Sequence, residues 1–268
     1  MAICAVLVVA SYCGATSTTS PSGLSERQNM LGKGYTPEGN GIGVGMCVPA
    51  SGGVATSAQG IWQGTTNTNQ TVAGVVLADG TSYFIYSQAG NSTSIVGAVL
   101  GNATFNHGTL SAPNAVDFVI GGAAYNATVS ATYVQGSTIN ATIAAAGTTG
   151  TVTLYYDSVY DQPASLAATA GTYTATVGSL AGVQTATLTV AANGAITGGG
   201  GGCTFSGAAT PHGSVNVFDV QVTFNGGACL FGTSTIYGVV FYDAHNRTLY
   251  GAAPNTAHTD VLLFIGTK

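Results

Sequence analysis

Two stretches of this chain are versions of one pattern, and that duplication limits the fold more than any single motif. Residues 60–86 read GIWQGTTNTNQTVAGVVLADGTSYFIY: a Gly-x-Trp opening, a strand, an Asp79-Gly80 turn and an aromatic strand. A fainter copy starts at Gly171, GTYTATVGSLAGVQTATLTVAANGAITG, with Tyr173 in the place of Trp62 and Asn193-Gly194 as the turn. Asp-Gly and Asn-Gly supply the positive φ that tight hairpins need, so the strands they join are antiparallel neighbours. The duplication predicts two related β-lobes, 60–168 and 169–268, each near the usual size of a domain and each expected to fold alone.

The strands themselves show in the alternation. In 185–190, Ala186, Leu188 and Val190 face one way while Thr185, Thr187 and Thr189 face the other, the period of a half-buried strand. The same alternation marks 127–133, 138–143, 151–156 and 219–224. Each lobe then holds about eight short strands, spaced as in sandwiches and barrels. A meander of that length leaves two open edges unless it closes, which makes tandem antiparallel up-and-down barrels the expected all-β fold. Helix is confined to a short Ala-rich turn at 163–170, read as the joint between the lobes.

Composition narrows the setting. Of 268 residues only 5% are charged, against roughly 25% in an ordinary soluble domain. Thr, Ser, Asn, Gln and Gly must supply the polar surface, a pattern that suits the bacterial envelope better than the cytosol. Four Lys and Arg against nine Asp and Glu give a formal charge of −5. No basic patch exists to neutralise phosphates, so nucleic acid is not an expected partner.

The opening MAICAVLVVASYCGA reads as an export signal over 1–15. Its apolar run, 2–10, is too short to span a bilayer but has the length of a signal core. Two processing routes are open: Cys13 becomes the lipidated first residue of a lipoprotein, or the chain is cut after Ala15. Residues 16–59 carry Ser, Thr, Gly and Pro with Glu26, Arg27, Lys33 and Glu38 and no period, as in a flexible tether. Alternatively, 41–48 adds a strand to the edge of a lobe.

Beyond Cys4 and Cys13, the cysteines are Cys47, Cys203 and Cys229. Cys203 and Cys229 fall on segments assigned to neighbouring strands of the second lobe, and in an oxidising compartment they should pair. A loop of that length contributes about 3–4 kcal/mol in the chain-entropy model. The rival is a metal site, but His107, His212, His245 and His258 have no zinc-like spacing to these cysteines. Cys47 is left free or for a bond between chains.

Motifs for catalysis are missing: no Gly-x-Ser-x-Gly, no His-Glu-x-x-His, no phosphate-binding loop, no Cys-x-x-Cys. Tyr156-Asp157, with Asp161 close behind, and Tyr242-Asp243 could offer the paired carboxylates of a glycosidase. The blander reading, that each Asp ends a strand and caps a turn, is preferred. The expectation is a protein without enzymatic activity and without a cofactor.

Several segments together carry a family likeness: Gly60-Ile-Trp-Gln-Gly-Thr-Thr66, residues 75–87, Tyr155-Tyr-Asp157, Ala164-Ser-Leu166, Ala170-Gly-Thr-Tyr173, Gly202-Cys-Thr-Phe-Ser-Gly207 and Phe264-Ile-Gly-Thr-Lys268. On these the chain resembles a family of β-proteobacterial lipoproteins to which no activity is attached, over nearly everything after residue 59. Its layout is similar, more loosely, to the β-barrel lobes of surface lipoproteins that bind host proteins, the transferrin-binding and factor H-binding types. That second resemblance implies an architecture and transfers no binding residue. The Gly-x-Trp is also similar to the opening of lipocalins, where an Arg stacks on the indole; the first lobe here contains no Arg.

Three functional classes follow. One is an envelope binding module whose loops or barrel mouths meet a protein or a small apolar ligand, with Tyr83, Tyr86 and Tyr155 as candidate binding aromatics beside Phe84 and Tyr156. Each of these aromatics is at least as well explained by core packing. The second is a structural or adhesive surface protein. The third, an integral outer-membrane barrel, is disfavoured by the terminal Lys268 and by strands short of the roughly 9–11 residues a membrane strand needs; contact with a membrane is expected only through a lipid anchor.

Overall fold

The computed structural model describes residues 57–268. The expected export signal at 1–15, Cys13, Cys47 and the expected tether as far as residue 56 lie outside the described residues.

The first lobe runs through β1 (Gly60–Thr66), β2 (Thr71–Val76), β3 (Thr81–Gln88), β4 (Asn91–Asn102), β5 (Thr104–Asn106), β6 (Thr109–Val119), β7 (Ala124–Val134), β8 (Thr138–Ala145) and β9 (Thr148–Asp157). Neighbours pair in the order β4-β3-β2-β1-β9-β8-β7-β6, and β4 pairs back onto β6, so the sheet closes; β5 is a short spur on β6. The second lobe is a closed barrel of β10 (Gly171–Ser179), β11 (Gly182–Val190), β12 (Ala195–Gly200), β13 (Cys203–Pro211), β14 (Phe218–Phe224), β15 (Thr235–Asp243), β16 (Thr248–Pro254) and β17 (Val261–Thr267). All pairings are antiparallel and follow chain order, the two-barrel fold expected from the alternation.

The sequence copy is a structural copy. In both lobes the opening aromatic is fully buried and donates to the carbonyl four residues earlier: Trp62 Nε1 to Ala58 O at 3.0 Å, Tyr173 Oη to Thr169 O. Asp79-Gly80 joins β2 to β3, and Asn193-Gly194 joins β11 to β12, the equivalent hairpin. Each glycine has a positive φ, +90° and +86°, and each preceding side chain accepts from the N–H two residues on, Thr81 and Ala195. The turn is a type I turn closed by a left-handed glycine.

Between the lobes lie a 3-10 turn, Ser158–Asp161, capped by Asp157, and one turn of helix, α1 (Leu166–Thr169), capped by Ser165. Ala58, assigned by sequence to the tether, is buried beneath Trp62, so the first lobe begins at least two residues earlier than its strand pattern suggested.

Interiors are apolar and free faces polar. On β7, Ala127, Ala131 and Tyr133 point into the barrel while Thr128, Ser130 and Thr132 point out. An outer-membrane barrel has the opposite polarity, an apolar band outside and a polar lumen. Among the described residues no helix is long and apolar enough to cross a membrane.

One outer face is not polar. Ile61, Val75, Tyr83, Ile85 and Phe118 of the first lobe pack against Val239, Phe241, Ala252, Val261 and Leu263 on β15–β17. Burial of each large side chain here contributes roughly 1.5–3 kcal/mol, so the seam joins the barrels firmly.

Candidate functional site

The first barrel is hollow. A cavity of about 390 Å³ opens at the end formed by the β1–β2 and β8–β9 turns and runs inward between Val72, Phe84, Val99, Val129, Ala141 and Val152. Beneath it, in the same core, Trp62 plugs the far end of the barrel, braced edge-on by Tyr156 at 5.3 Å between ring centres. Tyr156 is held in turn by a hydrogen bond from its hydroxyl to Asp161, 2.7 Å long; burial and that acid raise the phenol above its ordinary range.

Near the mouth the wall carries one acid, Asp117 on β6, among the residues that line the cup. Tyr86 on β3 reaches across β4 and donates its hydroxyl to Asp117 Oδ1 at 2.7 Å. The reach depends on Gly97, because any side chain there would collide with the Tyr86 ring and hydroxyl. Loss of solvent raises the Asp117 carboxyl above 3.8, opposed by the Tyr86 hydrogen bond. Burial, then the neighbouring carboxylate, drives the Tyr86 phenol well above its usual range.

Asp117 faces inward because of a bulge. β6 pairs Ala112 with Val129 and then Ala115 with Ala127, three residues against two, at Pro113-Asn114. One extra residue exchanges the two faces of the strand. Leu110 and Ala112 point inward before the bulge, and Ala115 and Asp117 do so after it. Uninterrupted alternation from Leu110 would have put Val116 inside and Asp117 out; proline within a strand was the available signal.

The three candidate tyrosines go to three places. Tyr86 lines the cup, Tyr83 packs in the seam between the lobes, and Tyr155 stands 61% exposed on the outside of β9. Phe84 joins Tyr86 in the cup, and Tyr156 braces its floor.

The second barrel is filled. Its interior space is about 70 Å³, between Leu188, Phe205, Phe224 and Phe264. Cys203 and Cys229 form the expected disulfide, with 2.06 Å between the sulfurs. Cys203 begins β13, but Cys229 lies in the loop between β14 and β15 rather than on a neighbouring strand. That loop covers the end corresponding to the open mouth of the first lobe, and its Phe231 stacks on Phe224 at 5.2 Å. At the opposite end Lys268 Nζ sits 5.3 Å from the centre of the Tyr173 ring and 4.7 Å from that of Tyr242, donating to the carbonyls of Ala168 and Ala170. Among the described residues, a cation therefore covers the opening aromatic in this lobe and not in the first.

A wider groove of about 640 Å³ follows the seam, lined by hydroxyls such as Thr71, Ser87, Thr174, Thr176 and Thr267. It offers hydrogen bonds without the apolar enclosure of the cup.

The remaining carboxylates are engaged in local structure. Asp157 caps the 3-10 turn and accepts from Gln63, and Asp243, 3% exposed, accepts from the N–H groups of His245 and Asn246. At the β15–β16 turn Ala244 and His245 are exposed while Asp243 is buried beneath them. His212 pairs with Asp219 at 2.9 Å, and no group of His, Cys, Asp or Glu among the described residues could hold a metal ion.

No family profile and no curated protein matches the chain. Among solved structures it is similar to the isotype 1 transferrin binding protein B of serogroup B Neisseria meningitidis, at 7% identity and a TM-score of 0.28, over 75% of this chain and 66% of that one. It is also similar to a variant of the transferrin binding protein B of Haemophilus parasuis, at 9% identity and a TM-score of 0.27, over 74% of this chain and 50% of that one. The chain thus spans less than two thirds of the length of either of these two structures.

Proposed function

We propose that this protein is an exported, non-enzymatic binding module of the cell envelope whose first barrel takes up a small apolar ligand. The reading rests on the cup of about 390 Å³, within the roughly 300–1,000 Å³ of ordinary ligand sites and walled by aliphatic side chains with a few polar groups at one end. Native interiors are close-packed, and the second barrel of the same chain leaves only about 70 Å³, so the larger space is a property of the first lobe and not of the fold. A disulfide suits an oxidising compartment, and the Thr-rich exterior suits a protein that is tethered through Cys13 or set free by cleavage after Ala15.

The test is fluorescence titration of the full chain with N-phenyl-1-naphthylamine, a neutral apolar reporter. Saturable enhancement is expected, and Ala141→Phe, which fills the cup from β8, should abolish it. A reporter that binds Ala141→Phe as well as the parent chain contradicts the reading.

A further inference from the structure

Asp117 stands apart from the other described acids. Asp79, Asp157, Asp243 and Asp260 each accept from backbone N–H groups, Asp161 holds Tyr156, and Asp219 is paired with His212. Asp117 holds no turn. Its Oδ1 accepts from Tyr86, and its Oδ2 has no partner among the described residues, while the side chain lines the cup.

Nor can the lobe neutralise it. Residues 57–165 contain no Lys and no Arg, and the one histidine, His107, sits in the exposed turn between β5 and β6. Asp117 is half-buried at the mouth, so its carboxylate is partly stripped of water with no cation of the lobe beside it, and facing an ammonium it would gain a charge-assisted hydrogen bond. The β6 bulge and the small residue at Gly97 are both needed to put the acid and its orienting phenol there. Below them the walls are mostly apolar, with Phe84 and Ser82 among aliphatic side chains such as Leu110, Ile139 and Leu154.

Resting on the reading of the cup as a ligand site, we propose that the ligand is a protonated aliphatic amine. Its ammonium sits on Asp117 Oδ2, Tyr86 holds the carboxylate by the other oxygen, and its hydrocarbon tail fills the cup toward Trp62.

Isothermal titration of the full chain with octylamine, 1-octanol and octanoate, below the concentrations at which they self-associate, separates head group from tail. Octylamine should bind roughly tenfold to a hundredfold more tightly than 1-octanol, the range of a hydrogen bond to a charged group, and octanoate most weakly. Asp117→Asn, which keeps the shape and an acceptor for Tyr86, should bring octylamine down to the level of 1-octanol and leave 1-octanol unchanged. Equal binding of octylamine and 1-octanol by the parent chain, or tighter binding of octanoate, overturns the amine while the cup remains a ligand site. Binding of none of the three overturns both. The parent-chain comparison decides even if the Asn variant does not fold.

Discussion

Trp62 and Tyr173 do the same work in the two lobes: each closes the end of its barrel, fully buried, with its polar atom on the carbonyl four residues earlier. Above them the lobes part. The second barrel is packed with phenylalanines, its far end covered by a disulfide-tied loop; the first keeps about 390 Å³ open behind short turns, with a carboxylate in the wall. One strand plan thus supports a filled barrel and a hollow one, and the difference lies in which side chains enter the lumen. The fuller copy acts as a control for the hollow one, since both are closed antiparallel meanders, with the β5 spur and the β6 bulge belonging to the first alone.

The largest effect on stability should come from the shared floor. Trp62→Ala and Tyr173→Ala should each cost about 3–5 kcal/mol in urea denaturation, the usual range for a large aromatic removed from a core. A much smaller cost at Trp62 would mean that the floor of the hollow lobe is not structural.

Next is the disulfide. Its removal by Cys203→Ser with Cys229→Ser should cost about 3–4 kcal/mol on the chain-entropy estimate. Because the apolar seam joins the barrels, the loss should appear as a shift of one cooperative transition. A second transition confined to the second lobe would show instead that the halves fold alone, as the duplication by itself suggests.

Overpacking tests the difference in filling. Ala186→Phe in the second barrel should destabilise by about 1–3 kcal/mol or more, while Ala141→Phe in the first should cost less, since space already exists for the ring. Equal costs would remove the distinction between the lobes.

The smallest effect is one of pH. The folded pKa of Asp117 is raised by burial, so the folded state holds its proton more tightly than the unfolded chain. Stability from this group is fully present below 3.8 and is lost as pH rises through the raised value. Asp117→Asn should therefore gain on the parent chain as pH rises from about 3 to 7, read from denaturation midpoints. A gap that is constant with pH would show that Asp117 does not titrate differently on folding.

Much of the frame was legible in the residues. Thr185 to Val190 alternate as β11 does, and Asp79-Gly80 and Asn193-Gly194 mark equivalent hairpins, because turn chemistry and period two are local properties. The Cys203–Cys229 bond was expected from an oxidising compartment and from placing both cysteines on neighbouring strands; the pairing holds, although Cys229 lies in a loop. Tyr86 was among the candidates, but nothing separated it from Tyr83 three residues earlier; alternation puts them on opposite faces, and which face is the lumen depends on closure of the sheet. Asp117 was not legible at all. Its inward position depends on one extra residue at Pro113-Asn114, and its partner comes from a strand 31 positions away.

The contrast between a hollow and a filled lobe is tested most directly by methyl NMR of the full chain titrated with octylamine. Saturable shifts are expected at methyls around the cup, Val72, Val99, Val129 and Ile143, with Val177, Leu188, Val190 and Ile196 of the second barrel unmoved. Shifts of equal size in both barrels, or none in the first, would contradict it.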